Sequence, residues 1–171
     1  MKLYTIQDED VVNQLDPEYL ASMDYVDELF KKAYLWYMKD NHYTNPPIWA
    51  TDYQPKGWDL YGYYDVAIEK KKNLYCIELE VPDELVIKSD FDYWHSVLND
   101  WPLAEDNEEI SKEDSWTRIY DETYVFPGDE GSEKHFQYTI PSIKMGYVKS
   151  IKQVNKGLRY RIYQISRKIR Q

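Results

Sequence analysis

Two glutamates, at positions 78 and 80, have a spacing that suggests chemistry. Glu78 and Glu80 lie two apart in LYCIELEV (residues 74–81), where apolar and polar residues alternate as in a half-buried strand. On one face of a strand their Cβ atoms are roughly 7 Å apart, which suits coordination of a hard cation or a division of acid and base roles. The alternative is the solvent side of an antiparallel strand, which alternation alone predicts.

An acidic residue and a histidine form a second candidate in SDFDYWH (residues 89–95). Asp92 and His95 are three apart on a predicted helix, so the carboxylate could orient the imidazole. This spacing places no Ser or Cys nucleophile beside them. The opposing interpretation is a core histidine, because His95 follows Trp94 on the apolar stripe. His42 and His135 are distant in the sequence, so no metal site is predicted.

Aromatic residues interleaved with glycines form a third candidate, a surface on which a base or a sugar could stack. The predicted ligand-binding residues are Trp49, Trp58, Tyr61, Tyr63 and Tyr64. Because aromatic residues make up 16% of the chain, part of this set is expected in the core. The sequence has no glycine-rich nucleotide fingerprint, and no cofactor is predicted for the binding interpretation.

The charge is divided along the chain. The 171 residues carry a formal net charge of -10, yet residues 134–171 contain 10 Lys and Arg and no acid. Such a segment could contact nucleic acid, but the acidic remainder would repel phosphate. We therefore favour contact of the basic segment with the acidic body of the chain (residues 1–133) or with an acidic partner.

The elements that must position these residues are predicted from periodicity and from breakers. Strands are expected at residues 2–6, 48–50, 74–81, 85–87, 118–125, 135–140 and 147–154, and residues 53–65 are typical of a turn-rich or hairpin segment. Helices are expected from the cap at residues 7–10 to residue 15, over residues 24–39, from Ser89 or Asp90 to near Trp101, and at the end of the chain.

Two helices have predicted apolar faces. The face of the 24–39 helix is formed by Val26, Leu29, Phe30, Ala33 and Tyr37. The last helix is expected to bury Leu158, Ile162, Ile165 and Ile169, although Leu158, Tyr160 and Ile162 also alternate as in a strand.

Together these elements predict an α+β fold in a single domain, residues 1–171. It consists of a mostly antiparallel twisted sheet packed against one long amphipathic helix and shorter helices. Cys76 is the only cysteine, which excludes an internal disulfide. No apolar run approaches the roughly 20 residues of a membrane span, and the opening MKLYTIQDEDVV has no signal-peptide pattern. We expect a cytoplasmic protein without membrane contact.

Four segments carry a family resemblance. They are LYTIQ (3–7), PIWA (47–50), CIELEVPDELVIKSDFDYWHSVLND (76–100), and the pair SWTRIYD (115–121) and FQYTIPSIKMGYVKSIKQV (136–154). Together they resemble a bacterial family catalogued as domain of unknown function 3841. The family pattern has a Trp-Glu pair where this chain has Thr139-Ile140-Pro141. The family's carboxylate therefore has no counterpart at this position. The resemblance implies no activity.

Two classes of function stay open. The first is a binding module that recognises a protein or a small ligand through the aromatic segment. The second is an enzyme similar in topology to ADP-ribosyltransferases, which use NAD. Thr5 and Gln7 stand on the opening strand where that superfamily has His or Arg, and Gln137 stands where a catalytic Glu is expected. The candidates for catalysis are thus Glu78, Glu80, Asp92, His95 and Gln137. Nucleic-acid contact through the basic segment is a further alternative, and the oligomeric state is not predicted.

Overall fold

The computed structural model describes residues 1–170, with side chains as far as residue 168. In chain order the elements are β1 (Lys2–Asp8), α1 (Glu9–Val12), β2 (Glu18–Tyr19), α2 (Lys31–Asp40), β3 (Ile48–Ala50), α3 (Tyr61–Lys70), β4 (Leu74–Glu80), β5 (Ile87–Asp90), α4 (Phe91–Leu98), α5 (Lys112–Ser115), β6 (Phe136–Ile140), β7 (Ile143–Lys144), β8 (Val148–Gln153) and α6 (Gly157–Arg170). The strands form small antiparallel sheets and the helices are not arranged as βαβ crossovers, which confirms the α+β class.

Contacts divide the chain into two compact units. Unit 1 comprises Met1–Tyr19, Ala50–Asp83 and Ile143–Gln171, and unit 2 comprises Leu20–Trp49 and Glu84–Ser142. The single domain over residues 1–171 stays a prediction.

Unit 1 is built around β4, the central strand of the sheet β1-β4-β8. Both neighbours pair antiparallel with it, so that Ile77 lies opposite Thr5 on β1 and Ile151 on β8. Ile77 is fully buried, as a central strand requires. Helix α3 covers one end of this sheet, where Leu74 and Cys76 enter a core cluster with other apolar side chains. The predicted strands at residues 2–6, 74–81 and 147–154 are therefore confirmed.

The two faces of β4 differ from the predicted alternation. Cys76 alternates with the apolar residues on the same face as Glu78 and Glu80, yet it is buried, whereas Glu80 is exposed. The reason is that α3 covers this face only as far as Cys76. Beyond that point the strand presents its carboxylates.

Unit 2 contains the sheet β3-β6-β5 and a core dominated by aromatic rings. Tyr37 on α2 is fully buried, and its ring lies 5.3 Å from that of Trp94 and 5.4 Å from that of Trp49, measured between centroids. Its hydroxyl pairs with Thr139 Oγ1 on β6 at 2.7 Å. Aromatic contacts and this buried hydrogen bond therefore hold α2 on the sheet.

The predicted helix over residues 24–39 begins later than its periodicity indicates. The Asp27 carboxylate accepts the Leu29 backbone N–H at 2.9 Å and starts a 3-10 turn at Glu28–Phe30, after which α2 begins at Lys31. Leu29 is consequently 81% exposed, so its predicted place in the core is wrong. Of the predicted face, Ala33 and Tyr37 are buried.

Two further segments differ from their predictions. Residues 57–70 form a 3-10 turn and α3 where a turn-rich or hairpin segment was expected, because Asp59 Oδ2 accepts the Lys56 backbone N–H at 3.0 Å and caps the turn. Residues 116–120 form another 3-10 turn where the strand 118–125 was expected. There Arg118 bonds with Glu108 and with the Leu103 carbonyl, which fold the chain back instead of extending it.

Candidate functional site

A pocket in unit 2 lies where α4 begins. Asp90, the last residue of β5, is 2% exposed, and its Oδ1 accepts the backbone N–H groups of Asp92 and Tyr93 at 2.9 and 3.0 Å. It is thus the N-cap of α4, as the sequence predicts. The pocket has a volume of about 200 Å³ and is lined by Asp90, Asp92, Tyr93, Val125, Asp129, Ser132, Glu133 and Lys134.

The pocket's basic group is Lys134. Its ammonium lies 3.9 Å from Asp90 Oδ2 and 5.7 Å from the centre of the Tyr93 ring, and it donates to the Tyr124 carbonyl. The Tyr93 hydroxyl accepts the Phe126 backbone N–H at 2.7 Å, and burial raises the pKa of this phenol. These bonds fasten residues 124–134 to α4, so the polar groups of the pocket serve the local structure.

A histidine–carboxylate pair stands at the rim of this pocket. His135 Nδ1 donates to Asp92 Oδ2 at 2.9 Å, and the two side chains are 60% and 56% exposed. The hydrogen bond from His135 to Asp92 and the negative charge of Asp92 raise the pKa of the imidazole above its ordinary value. The pair is brought together by the bond from the Phe91 N–H to the His135 carbonyl, 2.8 Å long.

The predicted pairing of Asp92 with His95 is therefore wrong. His95 is exposed, and its Nδ1 donates to the Phe91 carbonyl one turn earlier at 2.8 Å. The core interpretation of His95 is wrong as well, since Tyr93, Trp94 and Val97 form the buried face of α4. Sequence spacing missed the partner of Asp92 because His135, which directly precedes β6, is 43 residues away in the chain.

The two glutamates on β4 have different surroundings, and their role in catalysis stays a prediction. Glu78 accepts from Lys2 Nζ at 2.8 Å and from Ser150 Oγ at 3.4 Å, and the bond from Lys2 lowers the pKa of this carboxyl. Glu80, two residues on, is exposed. Glu78 thus has a basic partner, Lys2, on the neighbouring strand β1.

The three residues of the NAD-using enzyme alternative, Thr5, Gln7 and Gln137, lie on two different strands. On β1 the Gln7 side-chain amide donates to Thr5 Oγ1 at 2.8 Å, and Thr5 is 2% exposed. Gln137 lies on β6 in unit 2, where it is 7% exposed and its amide is 3.4 Å from Ser89 Oγ. The first pair belongs to unit 1, and the enzyme alternative stays a prediction.

The predicted aromatic ligand surface is split by the fold. Trp49 belongs to unit 2, where its indole N–H donates to the Tyr34 hydroxyl at 3.0 Å. In unit 1, Tyr64 is buried at 2% exposure and bonds with the Val154 carbonyl at 3.1 Å. Trp58 is 83% exposed and Tyr63 is 44% exposed. Only part of the predicted set is accessible to a ligand.

The remaining aromatics of α3 serve to hold α6. Tyr61 lies 4.6 Å from Tyr163 and Tyr64 lies 5.0 Å from Tyr160, between ring centroids. Arg167 adds salt bridges to Asp65 and Glu69 at 3.2 and 2.9 Å. The residues of α6 that pack on α3 are therefore tyrosines and one arginine.

The described members of the apolar series on the last helix are not buried within the chain, and their burial against an acidic partner stays a prediction. Leu158, Ile162 and Ile165 are 75%, 56% and 60% exposed. The side chains of Ile169 and Arg170, also part of the predicted helix, lie outside the described residues. The spacing of Tyr160, Tyr163 and Arg167 was the signal for the face that packs inward.

Comparisons with known proteins add a family and no activity. The sequence profile of the family described as Domain of unknown function (DUF3841) matches residues 2–112. No significant match is found among curated proteins or among solved structures. Among residues 1–170, no helix combines the length and the apolar composition that crossing a bilayer requires. The same described residues contain no group of three or more His, Cys, Asp or Glu side chains arranged for a metal ion.

Proposed function

We propose that this chain, which belongs to the family described as Domain of unknown function (DUF3841), is a module that binds an acidic protein partner. Its binding surface is the exposed side of α6 together with Trp58, which we call the α6 face. The observation that carries the proposal is an apolar stripe on a helix whose opposite side is already packed. Leu158, Ile162 and Ile165 form this stripe.

The α6 face is held in place by the contacts with α3. Ring contacts of Tyr163 with Tyr61 and salt bridges of Arg167 with Asp65 and Glu69 join the helices along two successive turns of α6. A helix fixed in this way presents its other side without an ordering cost on binding. Preorganised surfaces bind more tightly for this reason.

The composition of the α6 face is that of a protein interface. Trp58 is 83% exposed. The Arg159 side chain of α6 approaches Gly57, the residue before Trp58, since its Nη1 lies 3.6 Å from the position that a Cβ on Gly57 would occupy. Trp, Tyr and Arg are the residues that most often dominate binding energy, and large exposed apolar side chains beside them mark interaction sites. Ile162 lies within the apolar stripe and is the natural residue to vary.

Charge selects the class of partner. Exposed basic residues flank the apolar stripe of α6, namely Lys156, Arg159, Arg161 and Lys168. A partner with carboxylates around an apolar centre complements it. Nucleic acid would use the basic groups but not the apolar stripe. An anionic membrane would use both, but unit 2 carries 19 Asp and Glu against 7 Lys and Arg and would be repelled from it.

The test uses a fluorescent synthetic helix of glutamates with leucines at positions i, i+4 and i+7, and its scrambled version. Fluorescence anisotropy should show binding of the patterned peptide that weakens as salt is added. The substitution Ile162→Ser should weaken this binding about tenfold. The matched control is Val66→Ser, since Val66 is 45% exposed on α3 and outside the α6 face.

Three results would overturn the proposal. The first is equal affinity for patterned and scrambled peptides. The second is an unchanged affinity in Ile162→Ser. The third is tighter binding to an RNA oligonucleotide, or to vesicles of phosphatidylcholine and phosphatidylserine, than to the patterned peptide.

A further inference from the structure

Unit 2 carries an exposed apolar surface of opposite charge, which we call the acidic face. Tyr25 and Leu29, in the two 3-10 turns that precede α2, are 80% and 81% exposed. Asp24, Asp27 and Glu28 alternate with them and are exposed as well. Two large exposed side chains, each next to exposed carboxylates in the chain, have the chemistry that the α6 face requires of its partner.

The acidic face has a defined backbone conformation. Ser22 Oγ accepts the Asp24 N–H at 3.2 Å, and Asp27 Oδ1 accepts the Leu29 N–H at 2.9 Å, so each turn begins at a capped residue. Lys31 pairs with Glu28 at 2.6 Å and offsets that carboxylate. Asp24 and Asp27 thus supply most of the negative charge beside the apolar side chains.

We infer that the partner of the α6 face is the acidic face of a second copy of this chain. The inference rests on the proposed function and names its partner. Leu29 and Tyr25 of one copy pack on the stripe of Leu158, Ile162 and Ile165 of the other. The carboxylates of the acidic face then lie against the basic residues that flank this stripe.

Such a contact joins two different surfaces, which fixes the kinds of assembly that can form. If two copies make the contact reciprocally, the result is a closed dimer; if each copy makes it with a new neighbour, the result is an open chain or a ring. In either case each copy uses one α6 face and one acidic face per contact. Screening of the charges by salt weakens the association.

The experiment is sedimentation velocity of the full chain over a range of concentrations at low and high salt. The wild-type chain should associate at low salt and dissociate at high salt. Ile162→Ser removes an apolar side chain from the α6 face, and Leu29→Ser removes one from the acidic face. Each variant alone should therefore associate at least tenfold more weakly than the wild-type chain. Leu35→Ser is the control, since Leu35 is 55% exposed on α2 outside the acidic face.

Mixing the two variants is the decisive measurement. Each variant keeps the surface that the other has lost, so an equimolar mixture with one variant labelled should form a heterodimer. A wild-type chain that stays monomeric at every concentration overturns the inference, as does a mixture no more associated than either variant. If the monomer still binds the patterned glutamate–leucine peptide, the proposed function stands and only the partner is wrong. If neither association occurs, both are wrong.

Discussion

Two single Leu→Ala substitutions in unit 2, one buried and one exposed, give the sharpest test of its packing. Leu103 is 2% exposed within the aromatic core, whereas Leu29 is 81% exposed in the 3-10 turn before α2. Leu→Ala removes the same atoms at both sites. At Leu103 it should lower the free energy of unfolding by about 2–5 kcal/mol, the sum of lost burial and the cavity left behind. At Leu29 the change should stay within about 0.5 kcal/mol.

Urea unfolding followed by tryptophan fluorescence measures both changes. With a denaturant slope of about 2 kcal/mol per molar, Leu103→Ala should lower the urea midpoint by about 1–2.5 M and Leu29→Ala by at most about 0.3 M. High salt and dilute protein keep self-association from contributing. A Leu29→Ala midpoint that falls as far as that of Leu103→Ala would refute the placement of Leu29. It would mean that the helix starts at Asp24 and buries this residue.

Three further predictions concern caps and charges in unit 2. Asp90→Ala should cost about 0.5–2 kcal/mol of unfolding free energy in the same urea assay, whereas Asp90→Asn, which can still accept from the helix N–H groups, should retain most of it. The pKa of His135 is raised in the folded protein by its pairing with Asp92. This pairing therefore stabilises the folded state fully below pH about 6.5, and the stabilisation is lost as pH rises through the folded pKa. An NMR titration should show a lower His135 pKa in Asp92→Asn. The bond from Arg118 lowers the pKa of Glu108 to about 2, so this contribution is complete above pH about 4.5 and lost as pH falls toward 2; Glu108→Gln should unfold with less dependence on pH in that range.

Local patterns sufficed for elements whose signals agree with one another. Period-2 alternation predicted β4, and a capping Asp90 followed by apolar spacing predicted α4. At residues 24–30 the signals conflict. Leu29 has helical spacing to Ala33, but Asp27 caps a separate turn, and the cap determines where the chain enters α2. Periodicity without the cap therefore assigned Leu29 to the wrong environment.

The site could be predicted only where its parts are close in sequence. Asp90 was identified as a cap because its bonds reach two and three residues ahead. The partner of Asp92 was not, because His135 arrives through the pairing of β5 with β6, where Asp90 lies opposite Phe136. A strand register of this kind depends on long-range packing, and one sequence does not determine it.

The two sides of α6 explain which of its residues pack on α3, and why the exposed side calls for a partner. Helical spacing places the aliphatic residues Leu158, Ile162 and Ile165 on one side of the helix. It places Tyr160 and Tyr163 together on another side. The tyrosines face inward because α3 offers Tyr61 and Tyr64 as ring partners, and aromatic pairs add about 0.5–1.5 kcal/mol beyond the area that they bury. Full burial of each aliphatic side chain would stabilise by about 1.5–3 kcal/mol, which unit 1 alone does not gain. A surface that complements both the stripe and its basic border would gain it, and the acidic face around Leu29 has that composition.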